Sequence, residues 1–476
     1  MTLHKNVIAF AVTSLLACGV FAGAAQAAEP ALPKDLPAYA PDKPLPVPRI
    51  EKKTLANGLE VWVVPRNGVP RVDYVLAARN AGLAADAADA SGFASLLAGL
   101  LTEGTARRDS RAVAEAAQGF GGSLSASASN DGISVYADAL SSHAGSMLDL
   151  LAEVVRTPAF PDNEVKLAQA NAAQQLKAAE AQPSFRANRA MLSAIYGDHP
   201  YARTQLSEAG IAALNPARLR SEHARRFHPE RSLLVITGRV TPAEGFAMAQ
   251  KAFGDWKGTG AGVAETPAAP RQAQPRFVLL QRDGSVQSTL RIGRPALAAT
   301  DPDYVAMQFT RILLGGGFSS RVNLNLREEK GYTYGAGVKL SASRAGGDVV
   351  ANADVRNDVT GASLKEFFHE FDRLRNEAVT DKDMEDTKRF IAGDYVISNQ
   401  LQGAVAATLA KNWLNGLPPE FLGQYVPTLR ALDAAKVQAV ARQYFDPKQQ
   451  SIVVVGDGKA VADQLKPYGH FQLQSK

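Results

Sequence analysis

The strongest constraint on this chain is that it repeats itself. Ala224-Arg225-Arg226-Phe227-His228-Pro229 runs into the apolar Leu233-Leu234-Val235-Ile236 and then Gly238. Far downstream, Ala441-Arg442-Gln443-Tyr444 and Asp446-Pro447 run into Ile452-Val453-Val454-Val455 and Gly456. Proline and glycine stand nine residues apart in both places, and Pro447 follows Pro229 by 218 residues. Upstream, Ser125-Ala126-Ser127 followed by Tyr136-Ala137-Asp138 is echoed by Ser341-Ala342-Ser343 followed by Asn352-Ala353-Asp354, at an offset of 216. Two matches at nearly one offset imply a duplicated unit of about 210 residues. The Gly/Pro/Ala-rich stretch 257–275 separates the copies and reads as a linker. The expected halves are therefore 51–256 and 276–470.

Each half mixes both hydrophobic periods. Residues 59–65 and 72–77 are β-rich, with Asn57-Gly58 as a turn signal before them. Residues 111–118, 144–155, 364–375 and 383–391 carry helical spacing. Strands and helices come in clusters without regular alternation, which predicts an α+β sandwich in each half rather than a doubly wound sheet. Ahead of the halves, residues 1–27 read as an export signal, with Lys5, the apolar run 7–20 and Ala25-Gln26-Ala27. That run falls short of the roughly 20 residues that span a bilayer. No stable membrane span is expected, and the chain is expected in a periplasm or secreted. Leu15-Leu16-Ala17-Cys18 resembles a lipobox, so a lipoprotein acylated at Cys18 is the less favoured alternative. Residues 28–50 form a proline-rich arm. Cys18 is the single cysteine, which excludes a disulfide framework and a Cys-based zinc site. The 52 Lys and Arg barely exceed the 47 Asp and Glu, so nothing points to nucleic acid.

The most specific signal lies in the second half. A helix predicted over 304–314 runs into Gly315-Gly316-Gly317-Phe318-Ser319-Ser320-Arg321, then Leu324-Asn325-Leu326-Arg327-Glu328-Glu329-Lys330-Gly331-Tyr332-Thr333-Tyr334. This resembles the C-terminal half of the pitrilysin/insulinase family of metallopeptidases, the inverted zincins. There a Gly-rich turn leads to a helix ending Leu-Arg-Glu, with a Tyr seven residues after the Arg, as Arg327 and Tyr334 stand here. The resemblance extends to Leu55-Ala56-Asn57-Gly58-Leu59 and to the closing Pro–apolar–Gly units of both halves. It implies two homologous α/β halves facing each other as a clamshell around a chamber.

The family's catalytic signature is His-x-x-Glu-His on a first-half helix, two zinc ligands four apart with a base between them, completed by a Glu some way downstream. The matching frame here is Gly92-Phe93-Ala94-Ser95-Leu96-Leu97-Ala98-Gly99, ending in Gly104-Thr105. Ser95 and Gly99 occupy the histidine places, Ala98 the glutamate place, and Gln175 the downstream ligand. Serine is a poor zinc ligand, and Ala and Gly offer no donor. The histidines, His4, His143, His199, His223, His228, His369 and His470, include no pair three or four apart with a Glu between. His223 and His228 are five apart and read as single surface or helix-end residues. No metal is expected on this chain.

On pattern alone, Arg327 in Leu-Arg-Glu reads as a helix salt bridge and Tyr334 as packing. The resemblance implies instead that they reach the scissile peptide, the guanidinium clamping carbonyls and the phenol stabilising an oxyanion. The family includes two-chain enzymes in which one chain carries the zinc motif and the other the Arg/Tyr pair. The resemblance therefore implies a non-zinc subunit, a zinc-bearing homologous partner that holds the Zn, and an unfolded peptide as substrate. A catalytically inactive scaffold or peptide-binding homologue is the alternative, and a stand-alone peptidase with an unrecognised site is a further one. Gly315–Gly317 follow a helix and lack the Gly-Lys-Ser/Thr of a phosphate loop, so they read as a C-cap and a flexible turn by the substrate chamber. Residues 125–128 and 133–137 alternate apolar and small residues as an edge strand would, with a plain core strand as an equal alternative, and in the family this strand receives the peptide. Arg107-Arg108 and Arg225-Arg226 read as solvated surface, and Trp62, Trp256 and Trp413 as core or interface.

Overall fold

A computed structural model describes residues 47–474. The export signal, Cys18 and the proline-rich arm up to residue 46 lie outside the described residues. The first half contributes β1 (Glu51–Thr54), β2 (Glu60–Pro65), β3 (Arg71–Arg79), β4 (Ser123–Ala128), β5 (Gly132–Leu140) and β6 (Ser232–Gly238). The second contributes β7 (Phe277–Gln281), β8 (Gln287–Ala296), β9 (Thr333–Ala342), β10 (Gly347–Arg356), β11 (Ser451–Gly456) and β12 (Gln472–Gln474). Their orders, β1-β2-β6-β3-β5-β4 and β12-β7-β11-β8-β10-β9, run the same way from the second strand to the last. With helices around both sheets, the α+β class and the duplication are borne out.

The register carries the duplication residue by residue. Arg71 pairs with Leu140 and Asp73 with Asp138, and 216 residues later Gln287 pairs with Arg356 and Thr289 with Asp354. Pro65 pairs with Gly238 as Gln281 pairs with Gly456, both through parallel ladders. Every residue of β6 and of β11 is buried, because each runs inside its sheet with both faces covered. The upstream echo needs correction. Tyr136 pairs with Ser125, but its counterpart Asn352 pairs with Gly337, so Ser341-Ala342-Ser343 is not the counterpart of Ser125-Ala126-Ser127. The second hairpin is longer: its turn closes from Ser343 to Gly346, the first from Ser129 to Gly132.

One face of each sheet is covered by helices of its own half, as where Leu148 and Leu151 join Val61 and Tyr74 in the first core. The opposite face is covered by the other half. The helix Pro183–Tyr196 lays Ala187, Met191 and Ile195 on Val278, Leu280, Val453 and Val455 of the second sheet. In return Gln402–Leu414 lays Val405, Leu409 and Trp413 on Trp62, Val64, Val75 and Val235 of the first. Trp62 and Trp413 thus sit in an interface between halves, and Trp256 in the first half's core. The hairpin tips also meet. Asn130 Nδ2 donates to Ser343 Oγ (3.1 Å), the Arg344 N–H to Asp131 Oδ2 (2.8 Å), and the Tyr201 hydroxyl to Asp131 Oδ1 (2.5 Å).

Candidate functional site

The degenerate zinc frame is a well-built helix, Phe93–Leu100, whose buried face is Phe93, Ala94, Leu97, Ala98 and Leu100. Ser95 and Gly99 share the opposite, exposed face, and a side chain at Gly99 would meet no atom within 4 Å. Ala98 is fully buried. Gln175 is exposed on the neighbouring helix Asp162–Glu180, and Leu96 packs between the two helices with Ala172 and Leu176. A hydroxyl, a bare Cα and a carboxamide do not fit zinc, which takes imidazole, thiolate or carboxylate. Among the described residues, no group of three or more His, Cys, Asp or Glu could hold a metal ion.

The start of the Phe93–Leu100 helix is held by a buried anchor. The Ala94 N–H donates to Asp86 (3.1 Å), and Arg226 donates to Asp86 Oδ1 (2.9 Å) and to the carbonyls of Ala81 (2.9 Å) and Gly82 (3.1 Å). The Arg226 side chain is only 1% exposed, so Arg225-Arg226 is not the solvated pair its composition suggested. A guanidinium can leave water where several carbonyls and a carboxylate take up its N–H groups. His223 lies in the last turn of the helix Pro216–Arg226 and is half-buried. Its Nε2 donates to the Val155 carbonyl (2.7 Å), its ring stacks on Phe227, and burial lowers its pKa to about 4. His228 is buried.

In the second half the helix Tyr304–Gly315 ends at the triple glycine. None of the three has a left-handed φ, so the expected glycine C-cap conformation is absent and Gly316 stays helical in φ and ψ. A side chain at Gly315 would fall 2.5 Å from the Val338 backbone nitrogen. The glycine lets the helix end press against β9. Next come the turn Arg321–Asn323 and the π-helix Leu324–Glu329, which carries Arg327. A π-turn widens the helix by one residue and is found at functional positions. The Arg327 guanidinium lies over the Phe318 ring at 4.6 Å and its Nε is 3.2 Å from Glu328. Gly331, at φ +62°, turns the chain into β9.

Tyr334 follows at the start of β9 and is 90% exposed, so it does not serve as packing. It sits in a β-bulge: Ala336 pairs with Ala353 and Thr333 with Val355, leaving Tyr334 and Gly335 opposite Asp354 alone. Thr333 Oγ1 staples the bulge, donating to the Asp354 carbonyl (2.7 Å) and accepting the Gly335 N–H (3.1 Å). Bulges re-aim side chains beside functional sites. The structure brings Arg327 onto Phe318 of the glycine loop, places Tyr334 exposed at the start of β9, and leaves Ser95, Gly99 and Gln175 exposed on two helices that pack through Leu96.

Both sheets end in a free strand, β4 in the first and β9 in the second, while β5 with residues 133–137 is internal. The closing pair Ser129–Gly132 sets the alternation, so Leu124, Ala126 and Ala128 turn their N–H and C=O groups outward. Near the hairpin tips, Ser127, Ser134 and Tyr136 of the first half and Tyr304, Gln308 and Ser341 of the second line a cavity of about 590 Å³. Sequence reading missed Asn323, buried at the junction of loop, π-helix and β9. A buried Asn beside a glycine run carries no periodic signal.

A family model described as insulinase (peptidase family M16) matches residues 79–208, and one described as the peptidase M16 inactive domain matches 213–391. The uncharacterized zinc protease YmxG of Bacillus subtilis is 24% identical over 83% of this chain and 96% of its own length. The zinc protease PqqE of Helicobacter pylori is 23% identical over 86% and 93%. A peptidase M16 inactive domain from Pseudomonas fluorescens superposes with a TM-score of 0.80 at 24% identity, covering 86% of this chain and 98% of that one. A Helicobacter pylori protease gives 0.81 at 20% identity, over 86% and 99%.

Proposed function

From the premise that this chain belongs to the insulinase (M16) family of metallopeptidases and carries its inactive domain, we propose that it is the non-zinc subunit of an exported two-chain peptidase. The partner in this reading is a homologous chain that carries the His-x-x-Glu-His motif and its zinc. The observation that carries the proposal is the asymmetry between the two halves. The ligand face of the Phe93–Leu100 helix offers no zinc donor, whereas Tyr334 stands open to solvent and Arg327 is half-exposed, both on irregular backbone.

The residues of this chain hold and polarise a peptide. The Arg327 guanidinium presents a fork of N–H donors to backbone carbonyls and orients the scissile unit. The Tyr334 hydroxyl donates to the oxygen on which negative charge develops. The outward groups of Leu124, Ala126 and Ala128 offer an extended peptide a strand to pair with.

Mixing the chain with a zinc-bearing homologue tests this. Peptidase activity is expected that neither chain shows alone. Tyr334→Phe is expected to lower kcat of the mixture by about 10²-fold, the effect of removing one oxyanion donor. Arg327→Ala is expected to lower kcat/KM comparably. No gain on mixing two folded chains would sink the proposal. The runner-up is an inactive scaffold or peptide-binding homologue, which the inactive-domain match and the empty ligand face also support. Under it both variants leave assembly and peptide binding unchanged. Stoichiometric zinc in the purified chain would instead favour an independent peptidase.

A further inference from the structure

We infer that Asn323 is a positioning residue that sets Arg327 and Tyr334 relative to each other. The inference rests on the reading of that pair as substrate-contacting groups. Asn323 is 4% exposed and ends the short turn directly before the π-helix. Its amide reaches in two directions. Nδ2 donates to the Phe318 carbonyl in the glycine loop (2.7 Å), and Oδ1 accepts the Ala336 N–H on β9 (3.1 Å).

Each limb leads to one of the two side chains. Phe318 is the ring on which the Arg327 guanidinium rests, so the loop limb fixes the surface beneath Arg327. Ala336 is the first residue after the bulge that holds Tyr334, so the strand limb fixes where the bulge begins. The closing pair Ser343–Gly346 sets the alternation along β9 and turns the Ala336 N–H toward the free edge, away from β10. Without Asn323 that donor is unpaired and buried. Packing at Gly315 is then left to hold the loop to the strand, with no side-chain hydrogen bond between them among the described residues. Arg327 and Tyr334 both sit on irregular backbone, whose neighbouring ladders do not determine it. A direct amide bridge supplies the missing constraint.

The test uses the full chain mixed with a zinc-bearing homologue and a peptide substrate. Asn323→Ala is expected to lower kcat by about 10²-fold, the cost of an ångström-scale misplacement, with KM little changed. Asn323→Asp keeps the acceptor for Ala336 but sets a carboxylate against the Phe318 carbonyl, and is expected to lose less. Combined with Tyr334→Phe or Arg327→Ala, Asn323→Ala is expected to add little further loss, since it acts through them. Fully additive losses would overturn the inference and assign Asn323 to general stability. Hydrogen exchange on the chain alone supplies a readout independent of activity. Asn323→Ala is expected to speed exchange in residues 315–320 and 333–337 while leaving the helix Thr360–Asn376 unchanged. If Tyr334→Phe and Arg327→Ala are silent but exchange rises in both segments, the functional reading fails and the bridge stands. If exchange rises in neither, the bridge itself fails.

Discussion

Asp348 shows how a single buried group ties the halves together and makes their union depend on pH. Its carboxylate accepts the Tyr196 hydroxyl (2.8 Å) across the interface and is 7% exposed. Burial raises its pKa from the usual 3.8 to about 6, and the hydroxyls of Tyr196 and Ser341 offset only part of that. A folded-state value above the unfolded one means that the contribution to stability is fully present below about pH 4. It is lost as pH rises through about 6. A shift of about two units corresponds to on the order of 3 kcal/mol. Raising pH from 4.5 to 7 removes the Asp348 contribution, while His223, whose pKa burial depresses, adds one of opposite sign over the same range. Asp348→Asn is therefore expected to shift the pH slope of the urea midpoint upward relative to the parent chain. Asp131 and Asp73 are pushed up by burial too and act in the same direction as Asp348. An unchanged pH slope in Asp348→Asn would refute the assignment. None of this was legible in the sequence, where Asp348 is one acid in a polar turn. Likewise Arg226 reads as surface until the Ala81, Gly82 and Asp86 acceptors surround it.

The Phe93–Leu100 helix and the Arg327 segment mark what local pattern reveals and what it conceals. The loss of zinc ligands was legible because a motif frame is a spacing, and Gly92, Gly104 and Thr105 keep that spacing while Ser95, Ala98 and Gly99 replace the donors. The central strands β6 and β11 were legible as continuous apolar runs. The π-helix and the bulge were not, because each inserts one residue and leaves the hydrophobic pattern on either side intact. The triple glycine was read as a loose cap, whereas Gly315 is a packing residue against Val338. The preserved frame carries its own prediction. Ser95 and Gly99 are exposed one turn apart, and Gln175 lies on the helix that Leu96 packs against. The triple variant Ser95→His, Gly99→His, Gln175→Glu is expected to bind zinc at one ion per chain, read by elemental analysis after dialysis. The parent chain analysed in parallel is the reference. A triple variant that folds but stays metal-free would show that the two helices no longer hold the family's spacing.

Seen whole, the molecule is a duplication in which each copy lays a helix on the other's sheet, so the copies are expected to depend on each other to fold. The helices Pro183–Tyr196 and Gln402–Leu414 were not picked out by the sequence reading, and periodicity does not say which sheet a helix covers, so the exchange was invisible in sequence. Separated, each sheet would expose the face made of Trp62, Val64, Val75 and Val235, or of Val278, Leu280, Val453 and Val455. Burying side chains of that size contributes about 1.5–3 kcal/mol each, which exceeds what a short linker adds by keeping the halves close. Continuity of the linker is therefore expected to be dispensable once the chain has folded, and residues 257–262 within it are exposed. A protease site engineered into 257–262 and cleaved in the native protein is expected to leave two fragments that co-elute on size exclusion and separate only in denaturant. Either half expressed alone is expected to be insoluble or unfolded, and co-expression of the two to restore the fold. Fragments that part in native buffer, or halves that fold alone, would show that the exchanged helices do not hold the molecule together.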